Sequence, residues 1–119
     1  MQELREDFVL AGGDVNSEKS TAPFIIQFSP RALDHLKAFP KRDQQIILHA
    51  IQVHLTIDPD RETRRKKKLE ENVLAPWELR VGNFRVFYDI DQENRLVVIV
   101  AIGKKDHNIL HIEGKEIHL

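Results

Sequence analysis

Two alternating strands separated by Gly82-Asn83 constrain the fold more than any other part of the chain. They form the sequence WELRVGNFRVFY at positions 77–88. A Gly-Asn pair between two alternating runs is typical of a two-residue hairpin turn with positive φ, which glycine adopts without steric cost. A loop of these two residues fixes the register and places Arg80 directly opposite Arg85.

The predicted hairpin has one apolar face and one charged face. The apolar face indicates the side that packs on the core, and it carries Trp77, Leu79, Val81, Phe84, Val86 and Tyr88. On the other face, the like charges of Arg80 and Arg85 destabilise the pair unless an anion compensates them. Three arrangements stay open. Both arginines extend into water near an acid such as Glu78 or Asp89, a carboxylate of the protein binds the pair, or a phosphate from outside does so.

Length and composition limit the class of protein. The 119 residues suit one domain, and 41% of them are hydrophobic, enough for a modest core. The chain has no cysteine and no HxH or HExxH motif, so we expect no metal and no cofactor. Its longest apolar run, Leu96 to Ile102, is seven residues and fits a buried strand rather than a membrane span. The acidic N-terminus lacks a signal-peptide core, and we expect a cytoplasmic protein.

Charge is unevenly distributed along the chain. Residues 1–22 carry five acids and two bases, whereas residues 23–119 carry fourteen acids and sixteen bases. A short basic run, opposed only by Glu62, comprises Arg61, Arg64, Arg65, Lys66, Lys67 and Lys68. Such a run is either a solvated surface or an electrostatic footprint for a phosphate backbone, and the sequence leaves both open.

The segment before the hairpin predicts a strand and two helices. Residues 24–28 form a short predicted strand, and Ser29-Pro30 supplies the N-cap and first residue of a helix that ends at Pro40. Its inward side carries Leu33, Leu36 and Phe39. A second helix begins near residue 43 and ends before residue 58, with an apolar stripe of Ile46, Ile47, Ala50, Ile51 and Leu55.

The order of these elements predicts the fold class. Arg95 to Gly103 forms the last and most apolar strand, which we place in the centre of the sheet. The expected fold is α+β: a small antiparallel sheet with a helical hairpin packed on one face, in the order β-α-α-β-β-β. A flexible polar leader (1–22) precedes it and a polar, histidine-rich tail (104–119) follows it. The second face of the sheet is left for solvent or for a ligand.

Three stretches of this pattern resemble the RelE/ParE superfamily of bacterial toxins. They are Trp-Glu-Leu-Arg-Val-Gly, Phe-Arg-Val-Phe-Tyr-Asp-Ile and Val-Ala-Ile-Gly-Lys-Lys. The resemblance covers roughly residues 24–111 and implies that residues 23–119 form a single RelE-like toxin domain. It further implies the toxin of a type II toxin–antitoxin system, with a cognate antitoxin protein as partner.

The RelE-like branch implies an enzymatic activity. Such toxins enter the ribosome and cleave messenger RNA without metal, using the 2′-hydroxyl as nucleophile on the adjacent phosphate. That chemistry requires a group that takes the 2′-hydroxyl proton, cations that stabilise the developing charge, and a proton donor for the departing 5′-oxygen. Arginine suits the second task because it stays charged and binds phosphate through two N–H groups.

The resemblance assigns catalytic positions residue by residue. Arg85 falls on the arginine that contacts the scissile phosphate, and Arg80 falls on a basic position of the preceding strand. Lys105 replaces a phosphate-binding arginine, and His111 lies near a C-terminal tyrosine, although related toxins use histidines there as general acids. Glu78 stands at a position that is basic in RelE, where it is either a general base or the salt-bridge partner of the arginines.

Further basic residues and histidines complete the candidate set. Lys104 and the run Arg64, Arg65, Lys66, Lys67 and Lys68 are candidates for RNA binding, although the run equally suits an acidic antitoxin segment. His107 is an alternative to His111. The helix histidines are expected to be surface or rim residues and not catalysts: His35, His49 and His54.

The sequence therefore favours a ribosome-dependent messenger RNA endoribonuclease that inhibits translation, with ribosome and messenger RNA as partners and no membrane. Arg85→Ala is then expected to abolish cleavage and leave the fold intact, because this side chain points away from the core. Two alternatives remain: a ParE-like inhibitor of DNA gyrase that acts by protein binding, or a degenerate member that only binds its antitoxin.

Overall fold

A computed structural model of the protein describes residues 22–70 and 74–118, so the expected leader lies almost entirely outside the described residues. The described part contains two helices and seven strands. In chain order they are β1 (Ile25–Phe28), α1 (Pro30–Lys37), α2 (Lys41–Leu55), β2 (Lys66–Lys68), β3 (Trp77–Val81), β4 (Phe84–Asp91), β5 (Leu96–Asp106), β6 (Ile109–Ile112) and β7 (Lys115–Ile117).

The strands form one sheet in the order β2-β3-β4-β5-β6-β7, with antiparallel neighbours. β1 pairs with β5 in parallel, from Ile25 beside Leu96 to Phe28 beside Ile99. The α+β class and the central position of β5 are therefore confirmed. The parallel pairing of β1 departs from the purely antiparallel sheet that was expected. Both helices lie between β1 and the other strands along the chain, so no tight hairpin turn forces β1 to be antiparallel to its neighbour.

The hairpin has the predicted register, with Arg80 opposite Arg85 and Trp77 opposite Tyr88. Gly82 opens the turn with φ of +59°. The predicted apolar face is buried against the two helices, which contribute Ala32, Leu36, Ile47, Ile51 and Leu55 to the same core. Trp77 and Tyr88 stack there with ring centroids 6.0 Å apart.

Three strands were not expected from the sequence. β2 lies in the basic segment that joins α2 to β3. It is held by backbone pairing with β3, and such pairing leaves no pattern of apolar and polar side chains in the sequence. β6 and β7 lie in the polar tail. Leu110 and Ile112 of β6 are buried with Phe87 on the sheet face opposite the helices, so this face is partly covered and not simply left to solvent.

Gly103 shows why β6 can approach β5 so closely. A Cβ atom at this position would lie 2.7 Å from the His111 carbonyl oxygen and 2.8 Å from a side-chain carbon of Ile112. Only glycine fits this close approach without a shift of backbone.

Two apolar side chains predicted to face inward are exposed. Leu33 on α1 is exposed, and Ile46 on α2 is 44% exposed. A helix turns by about 100° per residue, so Ile46 cannot share the buried line of Ile47. A second apolar line follows the outer side of α2 and its C-terminal end, with Ile46, Val53 and Ile57 exposed and Ala50 half-buried between them.

His35 was expected at the surface or rim, and the structure shows this to be wrong. Because α1 packs across β5, the imidazole is buried between helix and sheet. Its Nδ1 accepts a hydrogen bond from the Ile102 amide at 3.1 Å, and its Nε2 lies 3.6 Å from a Glu113 carboxylate oxygen. Burial lowers the pKa of His35, and the Glu113 carboxylate opposes this shift.

We expect this buried imidazole to make the fold less stable in mild acid. The unfolded chain takes up the proton near pH 6.5 whereas the folded protein resists it, so His35 stabilises the fold above about pH 6.5 and loses this contribution as the pH falls. Urea unfolding at pH 7.5 and pH 5 would measure the loss. It should shrink in His35→Gln and persist in His49→Gln, an exposed control; an equal loss in both variants would contradict the assignment.

Candidate nucleic-acid interface

The Gly82-Asn83 turn lies between two surface pockets lined by basic residues. We call these two pockets together with the turn the turn surface. The first pocket is lined by Arg64, Arg65, Arg80 and Gly82. The second is lined by Asn83, Lys104, Lys105, Asp106 and His111. Cations that are far apart in sequence thus meet at one end of the sheet, because β2, β4 and β5 all reach that end beside the turn.

The opposed arginines share one carboxylate. Glu78 Oε2 lies 3.5 Å from Arg85 Nε, and Glu78 Oε1 lies 3.9 Å from Arg80 Nε. The Glu78 side chain is only 8% exposed. Of the arrangements left open by the sequence, the structure has the protein carboxylate. One negative charge faces two positive ones, so this cluster keeps an excess of positive charge. The buried position between two cations favours a structural role for Glu78 over a general base.

Arg85 is more deeply placed than the sequence suggested. Its side chain is 12% exposed, and its Nη1 donates to the carbonyl oxygens of Gly82 and Phe84, both at 2.9 Å. Burial lowers the pKa of Arg85, Glu78 opposes that shift and Arg80 adds to it. Arg85 does point away from the helix-side core, but its burial and its bonds to the turn mean that its removal should affect the fold as well as any chemistry.

Lys104 and His111 lie side by side on neighbouring strands, β5 and β6. Lys104 Nζ lies 5.6 Å from the centroid of the Phe84 ring, whose position is fixed by edge contact with Phe39. Lys105 anchors the turn through its backbone amide, which donates to the Asn83 carbonyl at 2.7 Å.

The predicted basic residues share one end of the sheet and not one face. Side chains alternate along a strand. Lys104 is paired with Phe84 and so lies on the helix side, whereas Arg85, beside Phe84 in sequence, lies on the opposite side with Arg80. The turn surface therefore bends around the edge of the sheet.

Lys66 does not belong to the exposed basic run. Its side chain is buried, and Nζ donates to the carbonyl oxygens of His54 at 3.2 Å and Asp58 at 2.8 Å. Burial lowers the pKa of this ammonium group, and the Asp58 carboxylate opposes the shift. Lys66 thus satisfies backbone carbonyls at the end of α2, and its assignment to RNA binding is corrected.

The neighbouring lysines differ from Lys66 and from each other. Lys67 is exposed and pairs with Glu78 in the register of β2 and β3. Lys68 is exposed at the end of β2 that lies farther from the turn, where it lines a separate pocket with acidic residues that include Asp60, Glu62 and Asp89. Of the run, only Arg64 and Arg65 line the turn surface.

His107 is 90% exposed in the β5–β6 turn, with Nδ1 3.0 Å from the Asp106 carboxylate. Asn83 and Asp106 also line the pocket of His111, although neither was predicted as a site residue. The β5–β6 hairpin, which carries Asp106 and His111, does have a signal in the sequence, namely Asn108 in its turn. His107 and Asn108 both have positive φ, a conformation that asparagine tolerates and that is typical of a two-residue hairpin turn.

Within residues 22–70 and 74–118, no group of three or more histidine, aspartate or glutamate side chains is placed to hold a metal ion. No helix in the described part of the chain is long and apolar enough to cross a membrane.

Comparison with solved structures identifies the fold. The chain is similar to a chain of the RelBE2 toxin–antitoxin complex from Mycobacterium tuberculosis, with a TM-score of 0.63 and 24% identity over 74% of this chain and 98% of that one. It is also similar to a chain of the archaeal RelE–RelB complex from Pyrococcus horikoshii, with a TM-score of 0.57 and 17% identity over 71% and 97% of the two chains. At these identities the likeness establishes the RelE-type fold alone.

A sequence family establishes the class of protein. The family described as the ParE toxin of the type II toxin–antitoxin system parDE matches residues 26–109, well over half of the chain. The chain therefore belongs to this family, and it is a toxin of the RelE/ParE superfamily. No curated protein matches the chain.

Lys66→Met tests whether Lys66 has the structural role described above. Methionine fills similar space but leaves two carbonyl oxygens without their donor, so the free energy of unfolding should fall by about 1–3 kcal/mol. Urea denaturation measures the change. The exposed neighbour serves as control, since Lys67→Met should stay within about 0.5 kcal/mol of the natural protein. Equal stability of both variants would contradict the structural role of Lys66.

Proposed function

We propose that this toxin is a ribosome-dependent endoribonuclease that cleaves messenger RNA in the cytoplasm and so inhibits translation. The observation that supports this most is the meeting of five cationic side chains at the turn surface, with His111 beside them. The cations are Arg64, Arg65, Arg80, Lys104 and Lys105, and a further arginine, Arg85, holds the turn between them. A phosphate backbone is the ligand that such a surface fits, and a titratable side chain next to it is what strand cleavage needs.

The proposed reaction is a transfer of the phosphoryl group from the 5′-oxygen of one nucleotide to the 2′-oxygen of the preceding ribose, to whose 3′-oxygen the phosphorus stays bonded. The 2′-hydroxyl loses its proton to a base and attacks phosphorus, the P–O5′ bond breaks, and the departing oxygen takes up a proton. The products are a 2′,3′-cyclic phosphate and a 5′-hydroxyl. No redox partner is required.

The roles follow from accessibility. His111 is the candidate for proton transfer, because an imidazole ring can both accept and donate a proton and because the ring of His111 lines the pocket with Lys104. Arg64, Arg65, Arg80 and the two lysines of the turn surface stabilise the charge that develops on the phosphorane. Glu78 orients Arg80 and Arg85 and takes no proton from the RNA.

We further propose that the protein partner is an antitoxin that covers the apolar line on α2. Both solved structures compared above are toxin–antitoxin complexes. Ile46, Val53 and Ile57 are exposed on one side of α2 and its C-terminal end, whereas the basic turn surface presents few apolar groups. An amphipathic segment of a partner would bury this line.

Val53→Asp tests this partner surface. When the toxin is co-expressed with the protein encoded by an adjoining gene, the variant should lose co-purification because a carboxylate would be buried in the interface. Gln52→Asp places the same charge on a neighbouring polar position and should retain it. If both variants retained the partner equally, the apolar line on α2 would not be its binding surface.

The catalytic proposal is tested in a cell-free translation reaction in which 5′ ends of the messenger are mapped. The natural protein should create new ends only when ribosomes translate the message. His111→Gln should lower the cleavage rate by about 10²–10⁴-fold, the usual contribution of a general acid or base. His107→Gln, a change of an exposed histidine outside the pocket, should cleave at the natural rate.

Intact messenger and undiminished translation would reject the endoribonuclease. The second candidate, inhibition of DNA gyrase by protein binding, is favoured by one observation: the matching family is that of the ParE toxin. A gyrase supercoiling assay would then show inhibition. If neither translation nor supercoiling changed, the chain would be a member that only binds its antitoxin.

A further inference from the structure

Arg80 and Arg85 face each other in the hairpin, yet their surroundings differ. The side chain of Arg80 is 42% exposed, and that of Arg85 is 12% exposed. Both bring Nε toward Glu78, and neither Nε makes a hydrogen bond of normal length. The two guanidinium groups are therefore not equivalent ligands for an anion.

The donors of Arg85 are directed at the protein. Nη1 donates to the carbonyl oxygens on both sides of Asn83, those of Gly82 and Phe84. The Asn83 carbonyl in turn accepts from the Lys105 amide. Three consecutive carbonyl groups of the turn are thus held by the side chain of Arg85 and the backbone of β5. Because Gly82 has a positive φ and little intrinsic preference for one conformation, these bonds fix where the turn sits.

Arg80 is directed at the pocket. It lines the pocket together with Arg64, Arg65 and Gly82, and its backbone amide donates to the Arg65 carbonyl at 2.8 Å. That bond places Arg65 beside Arg80 at the edge of the sheet. Three guanidinium groups therefore border one open pocket whose fourth wall is the turn that Arg85 holds. No carboxylate lines this pocket among the residues that the structure describes.

We propose that Arg64, Arg65 and Arg80 form the phosphate-binding subsite of this toxin, and that Arg85 with Glu78 is a positioning pair that fixes the turn and directs Arg80 into the pocket. The identity of the ligand as an RNA phosphate rests on the proposed function, whereas the division of labour between the two arginines does not. A guanidinium group binds a phosphate through two parallel N–H groups, which Arg80 has available and Arg85 largely does not.

Inorganic phosphate is the first probe, because it tests the subsite whether or not the protein cleaves RNA. The Nε–H signals of the arginines would be followed by ¹H–¹⁵N NMR while phosphate is added to the full chain. The Arg80 signal should move and saturate, and the Arg85 signal should stay in place. Movement of Arg85, or no movement of Arg80, would overturn the proposal.

The salt dependence of RNA binding is the second test, since it counts phosphate contacts. Binding of a single-stranded RNA of 12 nucleotides would be measured by fluorescence anisotropy over a range of salt concentrations. Loss of one contact lowers the slope of log K against log salt by about 0.7 for a single strand. Arg80→Gln should show this decrease. Arg85→Gln should keep the natural slope and unfold at a lower urea concentration, but it should bind the RNA more weakly at every salt concentration, because Arg80 is no longer held in the pocket. Arg42→Gln on α2 is the control with none of these changes.

Arg85→Lys keeps the proposal testable if Arg85→Gln does not fold, because lysine retains the charge and loses the paired donors. It too should keep the natural slope at reduced stability. A decrease in slope for either Arg85 variant equal to that of Arg80→Gln would overturn the division of labour and leave the endoribonuclease in place. Saturable movement of Arg80 with phosphate in a protein that neither binds nor cleaves RNA would instead reject the proposed function alone.

Discussion

The register of the β3–β4 hairpin is the constraint on which both the core and the basic end of the sheet depend. The two-residue turn places six apolar side chains of the hairpin against the helices, and the same alternation places Arg80 and Arg85 together on the other side. A slip by one residue would exchange the two faces. The Glu78 carboxylate makes this register tolerable, because it lies between two like charges that would otherwise repel each other at close range.

Local pattern was sufficient wherever neighbours in sequence decide the structure. The hairpin, α1 with its Ser29 N-cap and the central strand β5 all follow from alternation, capping and apolar runs. β2 could not be found in this way, because three lysines carry no alternation and only the backbone of β3 holds them. β6 and β7 were missed although the turns that precede them contain Asn108 and Gly114, both with positive φ.

Long-range partners explain the remaining errors in the site. Lys66 belongs to a basic run by sequence, but the carbonyl oxygens that bind it come from His54 and Asp58 at the end of α2. The sequence around His35 looks like that of a surface position on an amphipathic helix. Its partner, the Ile102 amide, lies 67 positions away in the sequence and meets the ring only in the folded chain. Burial of a polar side chain depends on such partners, and a single sequence does not show which distant residues become partners.

The overall charge of −1 is a poor guide to what this surface binds. Interactions between exposed charges are screened beyond about 8 Å at physiological ionic strength, so a ligand at the turn senses the nearby cations and little of the acidic remainder. The acidic side chains near β2 line a different pocket, around Asp60 and Asp89, and leave the turn surface basic. Because the same turn both closes the hairpin and borders the cations, stability and the proposed anion binding share residues there. A loss of activity at Arg85 therefore identifies a ligand contact only when the fold is measured beside it.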